Sequence, residues 1–395
     1  MFDEADRLVV RHPLFIIVLY TVPSRRPAGP CTRRGCLMKR AITIAIVVSL
    51  FIFSQETGWA YRDYFTTEQK SQLATIQTIL VEAVALTDKG AVDAGPIRTV
   101  AVSRLSELGY TVITDGSKPY DVMFKVKCEQ RKTWEGTATA GGDADLPDSP
   151  SRVWKGPACQ LNYTLGGMKI KWQKEVRTDF EDAITAAQKA NAGDPGDYAM
   201  AKLKERLTAY DFPVIVTADW GQADRLLKVL DNSKSDQMRR LKVISLLGEM
   251  QADAALPRLK EALKDKDLAR QAAESIGNIG PDGIPLLIDI VKNSQDNDLR
   301  ISAAKGLGQV GGLHGDTTAV PPLLEILKDP NTDWTLLTEI SWALGKMPDK
   351  RSIEPLYALD RKLQKLRDPE DMKLKKLKEA VFWAIKQCDT WDQYS

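Results

Sequence analysis

The chain is 395 residues long, 43% of them apolar, with 55 basic and 53 acidic side chains and a formal net charge of +2. Length and apolar share are those of a folded protein of two or three domains. Near-neutrality excludes a broad electrostatic attraction to nucleic acid or to an anionic membrane surface.

Met38-Lys39-Arg40 is a basic start, and 41–53 is an apolar run broken only by Thr43 and Ser49. Gly58-Trp59-Ala60 then offers the small residues of a cleavage site before Tyr61. Residues 38–60 therefore read as a secretory signal peptide whose apolar run is too short for a comfortable transmembrane helix. Tyr61, not a cysteine, immediately follows the cleavage point, so a lipid anchor is not expected. Residues 1–37 do not suit a position ahead of such a signal, since they hold a second apolar stretch (14–22) and a Pro/Arg/Cys-rich segment. Met38 is read as the true start and 1–37 as mis-assigned upstream translation, because Arg33-Arg34-Gly35 can be encoded by a purine-rich ribosome-binding sequence. A genuine long leader with an internal anchor is the alternative. The product is expected to be periplasmic or secreted, with no stable membrane insertion after cleavage.

Residues 61–219 read as a small α+β domain with an antiparallel meander. Helices are expected over 67–87 and 97–108, then a short strand at 110–113. Val122, Phe124, Val126 and Cys128 alternate with Met123, Lys125, Lys127 and Glu129, and Cys159, Leu161, Tyr163 and Leu165 alternate with Gln160, Asn162 and Thr164. Gly166-Gly167 makes a two-residue hairpin turn into a strand holding Met168, Ile170 and Trp172. That turn predicts the pairs Leu165/Met168, Tyr163/Ile170 and Leu161/Trp172 on one face, with Thr164/Lys169 and Asn162/Lys171 on the other. Helices follow at 181–191 and 197–210, and 213–217 reads as a last strand.

Placing Cys128 opposite Cys159 also places Val126 opposite Leu161, Phe124 opposite Tyr163 and Val122 opposite Leu165. One register serves both the apolar pairs and the cysteines, which in an exported protein favours a disulfide over two adjacent thiols. Cys388, after an apolar run, reads as a packed thiol. Trp134 and Trp154 flank the base of the loop that holds Asp143, Asp145 and Asp148. They read as a cross-strand pair stiffening a hairpin or as an anchor for a partner. The three aspartates lack the later ligands of an EF-hand, so the loop reads as an acidic loop rather than a calcium site. Lys125, Lys127, Lys169 and Lys171 share the polar face of the sheet.

Residues 220–395 carry a recurring phrase: Leu247-Gly248-Glu249-Met250, Ile276-Gly277-Asn278-Ile279, Leu307-Gly308-Gln309-Val310 and Leu344-Gly345-Lys346-Met347. Leu256-Pro257, Ile284-Pro285, Val320-Pro321 and Glu354-Pro355 form a second series. Two phrases recurring about every 28–37 residues mark an all-α solenoid of about five helix pairs. The prolines suit the start of a first helix, and Asp267, Asp298 and Asp333 suit N-caps of second helices. Over about 221–389 the pattern resembles the HEAT-like repeats, in particular the short type also found in bilin lyases of phycobilisomes. The resemblance implies a helical-repeat solenoid that binds protein partners. A lyase-like activity is implied by the resemblance alone, and the export signal argues against it.

Gly306-Leu307-Gly308-Gln309-Val310-Gly311 matches a dinucleotide-binding string, but these glycines are expected to end a repeat helix rather than follow a strand. The histidines are His12 and His314, and no hydrolase, metalloprotease or P-loop motif is present. Neither catalysis nor a cofactor nor a metal is expected. The basic run of the last repeat reads as a solvated helix face, so no nucleic-acid partner is expected. The sequence points to a non-catalytic scaffold of the bacterial cell envelope that binds a protein along its second helices. Arg239, Lys242, Arg270, Glu274, Arg300, Lys305 and Glu339 are the candidate contacts, and the loop between Trp134 and Trp154 is the rival site. An envelope assembly or transport accessory protein, docking through the α+β domain, is the alternative.

Overall fold

The computed structural model describes residues 10–12, 15–17, 65–130, 156–232, 235–366 and 370–394. Two short strands, β1 (Val10–His12) and β2 (Phe15–Ile17), pair antiparallel in the first of two compact units. The signal-peptide reading, Trp134, Trp154 and the acidic loop all lie outside the described residues.

The second unit, Tyr64–Ser395, opens with helix α1 (Thr67–Ala74), started by a capping box between Thr66 and Gln69. The strands that follow are β3 (Thr78–Thr87), β4 (Gly90–Val92), β5 (Thr111–Ile113), β6 (Val122–Glu129), β7 (Ala158–Leu165) and β8 (Met168–Arg177). Helix α2 (Gly95–Ser106) lies between β4 and β5. Helices α3 (Ala183–Lys189), α4 (Pro195–Ala209) and α5 (Phe212–Asp219) follow β8. The sheet order is β4-β3-β6-β7-β8, with β5 on β3 as well. Strands β6, β7 and β8 make the expected meander, while β3 runs parallel to β6.

The helix expected over 67–87 ends at Ala74, and 78–87 is β3 at the heart of the sheet. A run such as Ile79-Leu80-Val81 lacks period-2 alternation because β3 buries successive residues, and periodicity alone does not tell such a strand from a buried helix. The strand expected at 213–217 is instead part of α5, which buries Phe212, Val214, Val216, Thr217 and Ala218. Pro213 at its first turn suits a helix start, and burial on all sides overrides the β preference of its valines.

Strands β6 and β7 pair in the expected register: Val122 with Leu165, Phe124 with Tyr163, Val126 with Leu161 and Cys128 with Cys159. The two cysteines are bonded, with Cα atoms 3.9 Å apart. The β7–β8 hairpin begins as expected, with Leu165 opposite Met168 and Thr164 opposite Lys169. The register then slips, so that Asn162 meets Gln173 and Leu161 meets Lys174, not Lys171 and Trp172. Residues 170–172 thus stand against Tyr163 alone. A slip of two preserves the faces, and Ile170, Trp172 and Val176 all remain buried. The apolar face packs on α2, α4 and α5. Phe124 stacks on Phe212, and Tyr163 meets Trp220 edge-on. On the other face Lys125 pairs with Glu82 and Lys127 with Glu129.

Five helix pairs follow among the described residues: α6 (Ala223–Asp231) with α7 (Gln237–Glu249), α8 (Leu256–Ala262) with α9 (Ala269–Ile279), α10 (Ile284–Asn293) with α11 (Asn297–His314), α12 (Val320–Lys328) with α13 (Trp334–Lys346), and α14 (Ile353–Leu363) with α15 (Met372–Tyr394). Second helices stack directly on one another, from α7 through α15. The recurrent glycine is what permits it. A Cβ on Gly248 would lie 2.7 Å from Ser275 Cβ, and one on Gly277 only 2.2 Å from the Gly306 carbonyl oxygen. One on Gly308 would meet Ala343 Cα at 2.9 Å, and one on Gly345 would meet Ala384 Cα at 3.0 Å. Each glycine therefore makes room for the next unit. In α15, Ala384 receives Gly345, and the position that aligns with the repeated glycine is the exposed Lys386. The string 306–311 lies inside α11 rather than at its end, so its glycines are packing positions. Prolines 257, 285 and 321 open α8, α10 and α12 as expected. Of the three expected N-caps, only Asp333 caps its helix; α11 is capped by Asp296, and α9 has no side-chain cap.

Candidate interaction surface

The second helices present side chains in register because they stack at close range. Glu274 on α9 accepts from Lys305 Nζ on α11 at 3.2 Å and from Ser302 Oγ at 3.4 Å. On α13, Glu339, Trp342 and Lys346 stand three and four residues apart and so share one helix face. Burial raises the pKa of Glu339, and the nearby Lys305 and Lys346 only partly offset it. Burial likewise lowers the pKa of Lys346, against the attraction of Glu339. Trp342 then meets Trp383 of α15, with ring centroids 4.9 Å apart. The Trp383 ring occupies the space above Gly345. A surface that is charged at α9 and α11 and aromatic at α13 and α15 thus runs over four consecutive second helices.

Glu274, Lys305 and Glu339 come together here. Arg270 lies on α9 and pairs with Asp298 at 2.9 Å, both well exposed. Arg300 turns away and donates from Nε to the Val291 carbonyl at 2.8 Å. Arg239 and Lys242 belong to another place, the seam between the first repeat and the α+β domain. Trp342 and Trp383 were missed in the sequence. Their spacing to Glu339 and Gly345 was legible, but only the stacking of α13 on α15 brings the two rings together.

At the seam, Arg239 Nη1 bonds Glu107 at 2.7 Å and its Nε lies 3.4 Å from Asp211. Arg104 binds the same two carboxylates at 2.7 and 2.8 Å. Asp211 precedes α5 but does not cap it, because its carboxylate is committed to these arginines. Burial nonetheless raises its pKa, with Arg239 and Arg104 opposing. Deeper in, Gln222 Nε2 donates to the carbonyls of Leu73 and Ile76 at 2.9 and 3.1 Å. Arg225 donates to Leu108 O at 2.8 Å and to Gln222 Oε1 at 2.7 Å, and its guanidinium lies 4.1 Å from the centre of the Tyr110 ring. The Tyr110 hydroxyl bonds Thr217 and Gln222, and burial pushes its pKa up to about 12. These buried contacts tie the first repeat to α1, α2 and β5 through groups that water cannot replace.

Comparison with known proteins bears on the repeats. The family model for HEAT repeats matches residues 223–308 and again 284–367. No curated protein matches the chain. Among solved structures, a crystal structure of an engineered protein is 19% identical over 45% of this chain and 84% of its own, with a TM-score of 0.31, too low to carry an argument. The stacked helix pairs and the repeated glycine agree with the family match, and residues 223–367 are a run of HEAT repeats.

Proposed function

We propose that this protein is a non-catalytic scaffold of the bacterial cell envelope, and that it captures a protein partner along its second helices. HEAT repeats are protein-interaction modules, which supports the general role. The observation that carries the finer reading is the continuous surface from Glu274 through Lys305 and Glu339 to Trp342 and Trp383. Its mixed charge suits an extended segment carrying both signs, and its paired indoles suit an apolar anchor on that segment. The signal-like segment 38–60 supports export, and no helix among the described residues is long and apolar enough to cross a membrane.

Capture from a native envelope fraction tests this. Lys305→Glu combined with Trp342→Ala should abolish recovery of the partner while the melting temperature stays within a few degrees of wild type. Undiminished recovery with this variant, or its loss with Trp134→Ala and Trp154→Ala alone, would move the binding site to the α+β domain. The latter result favours the accessory-protein reading, in which that domain docks on a membrane complex.

A further inference from the structure

A cleft of about 710 Å³ opens at the seam, where the C-terminal ends of α2 and α4 meet α6 and α7. It lies within the size range of ligand pockets, which is roughly 300–1,000 Å³. Four of its charges cancel: Arg104 and Arg239 are each within ion-pair distance of both Glu107 and Asp211. Asp236 is held at the start of α7, where it accepts the amide of Arg239. Arg225 is turned inward onto the Leu108 carbonyl. What remains at the mouth is Lys228 on α6 and Lys242 on α7, both exposed and without an ion-pair partner among the described residues. The exposed Met238 and the buried Val229 supply an apolar edge beside them.

We propose that this cleft is a second binding site, which takes an extended acidic protein segment with its carboxylates on Lys228 and Lys242. The net charge of the lining is positive, and the two free groups are flexible ammoniums. Phosphate recognition favours the guanidinium fork, which presents two parallel donors. Both guanidiniums facing this cleft are already ion-paired with Glu107 and Asp211. Single carboxylates, spaced along a chain and flanked by an apolar residue, fit what is left. The site stands apart from the Glu274–Trp383 surface, so the two can fail independently.

The test uses the full chain and a fluorescent peptide of alternating Glu, Asp and Leu, followed by anisotropy at low salt. Binding should weaken about tenfold or more in Lys228→Glu with Lys242→Glu, and as salt is raised. Lys305→Glu, on the other surface, should leave it unchanged. Circular dichroism should show both variants folded, since all three lysines are exposed. No binding to wild type, equal binding to the double variant, or displacement of the peptide by millimolar inorganic phosphate would each overturn the proposal.

Discussion

Glu339 is a half-buried carboxylate whose neutral form the fold favours, because burial raises its pKa. Its contribution to stability is therefore full below the normal carboxylate pKa and is lost as pH rises through the raised value. Glu339→Gln should accordingly raise the melting temperature at neutral pH, with the gain shrinking toward zero as pH falls below about 4. A gain that grew toward acid would mean the two lysines, not burial, dominate its environment. The glycines give a second residue-scale expectation. Gly277→Ala must displace the backbone of Gly306, whereas Gly308→Ala meets Ala343 less closely. Overpacking of this kind costs about 1–3 kcal/mol, with Gly277→Ala at the top of the range and Gly308→Ala near the bottom. Urea unfolding of the two variants tests the order. Nucleotide binding plays no part in it, since the 306–311 string is interior helix.

The β6–β7 pair shows how elements hold their own register. Apolar partners and the Cys128–Cys159 bond agree residue for residue, and the bond closes a chain separation of 31 residues. Cys128→Ser with Cys159→Ser should lower stability by about 3–4 kcal/mol, chiefly by loosening the unfolded chain. Wild type treated with reductant should move to the same unfolding midpoint, and an unmoved midpoint would show the bond adds nothing. The hairpin beyond was readable for as far as the turn dictated it, up to Thr164/Lys169. The slip opposite Tyr163 was not, because a two-residue bulge leaves the alternation of buried residues intact. Helix α5 and strand β3 were misread for a related cause. Both are enclosed on several sides, so the periodicity that separates helix from strand is erased.

At the scale of the whole molecule, Gln222 and Arg225 decide whether the repeats hang from the α+β domain or are fused to it. Arg225→Met would leave the Leu108 carbonyl and the side chains of Gln77 and Gln222 short of a donor, at a cost of about 2–4 kcal/mol. Denaturation followed by Trp fluorescence should then split into two transitions where wild type has one. A single transition in both would mean the seam is not the weak point. By itself the sequence determined the repeat architecture, because the inner units each carry a glycine and a proline, recurring about every 28–37 residues, and a unit needs only its neighbour to be read. It also determined the β6–β7 register and the disulfide, since those follow from period-2 alternation and one cysteine in each strand. Only the tertiary structure decided what the charged candidates do. Arg239 and Arg300 proved to be tied to the fold, Lys242 to face a cleft, and Trp342 and Trp383 to meet across two helices. The reason is physical: a side chain's role depends on which carboxylates, carbonyls and rings other elements bring within a few ångströms, and that long-range pairing leaves no local pattern in the chain.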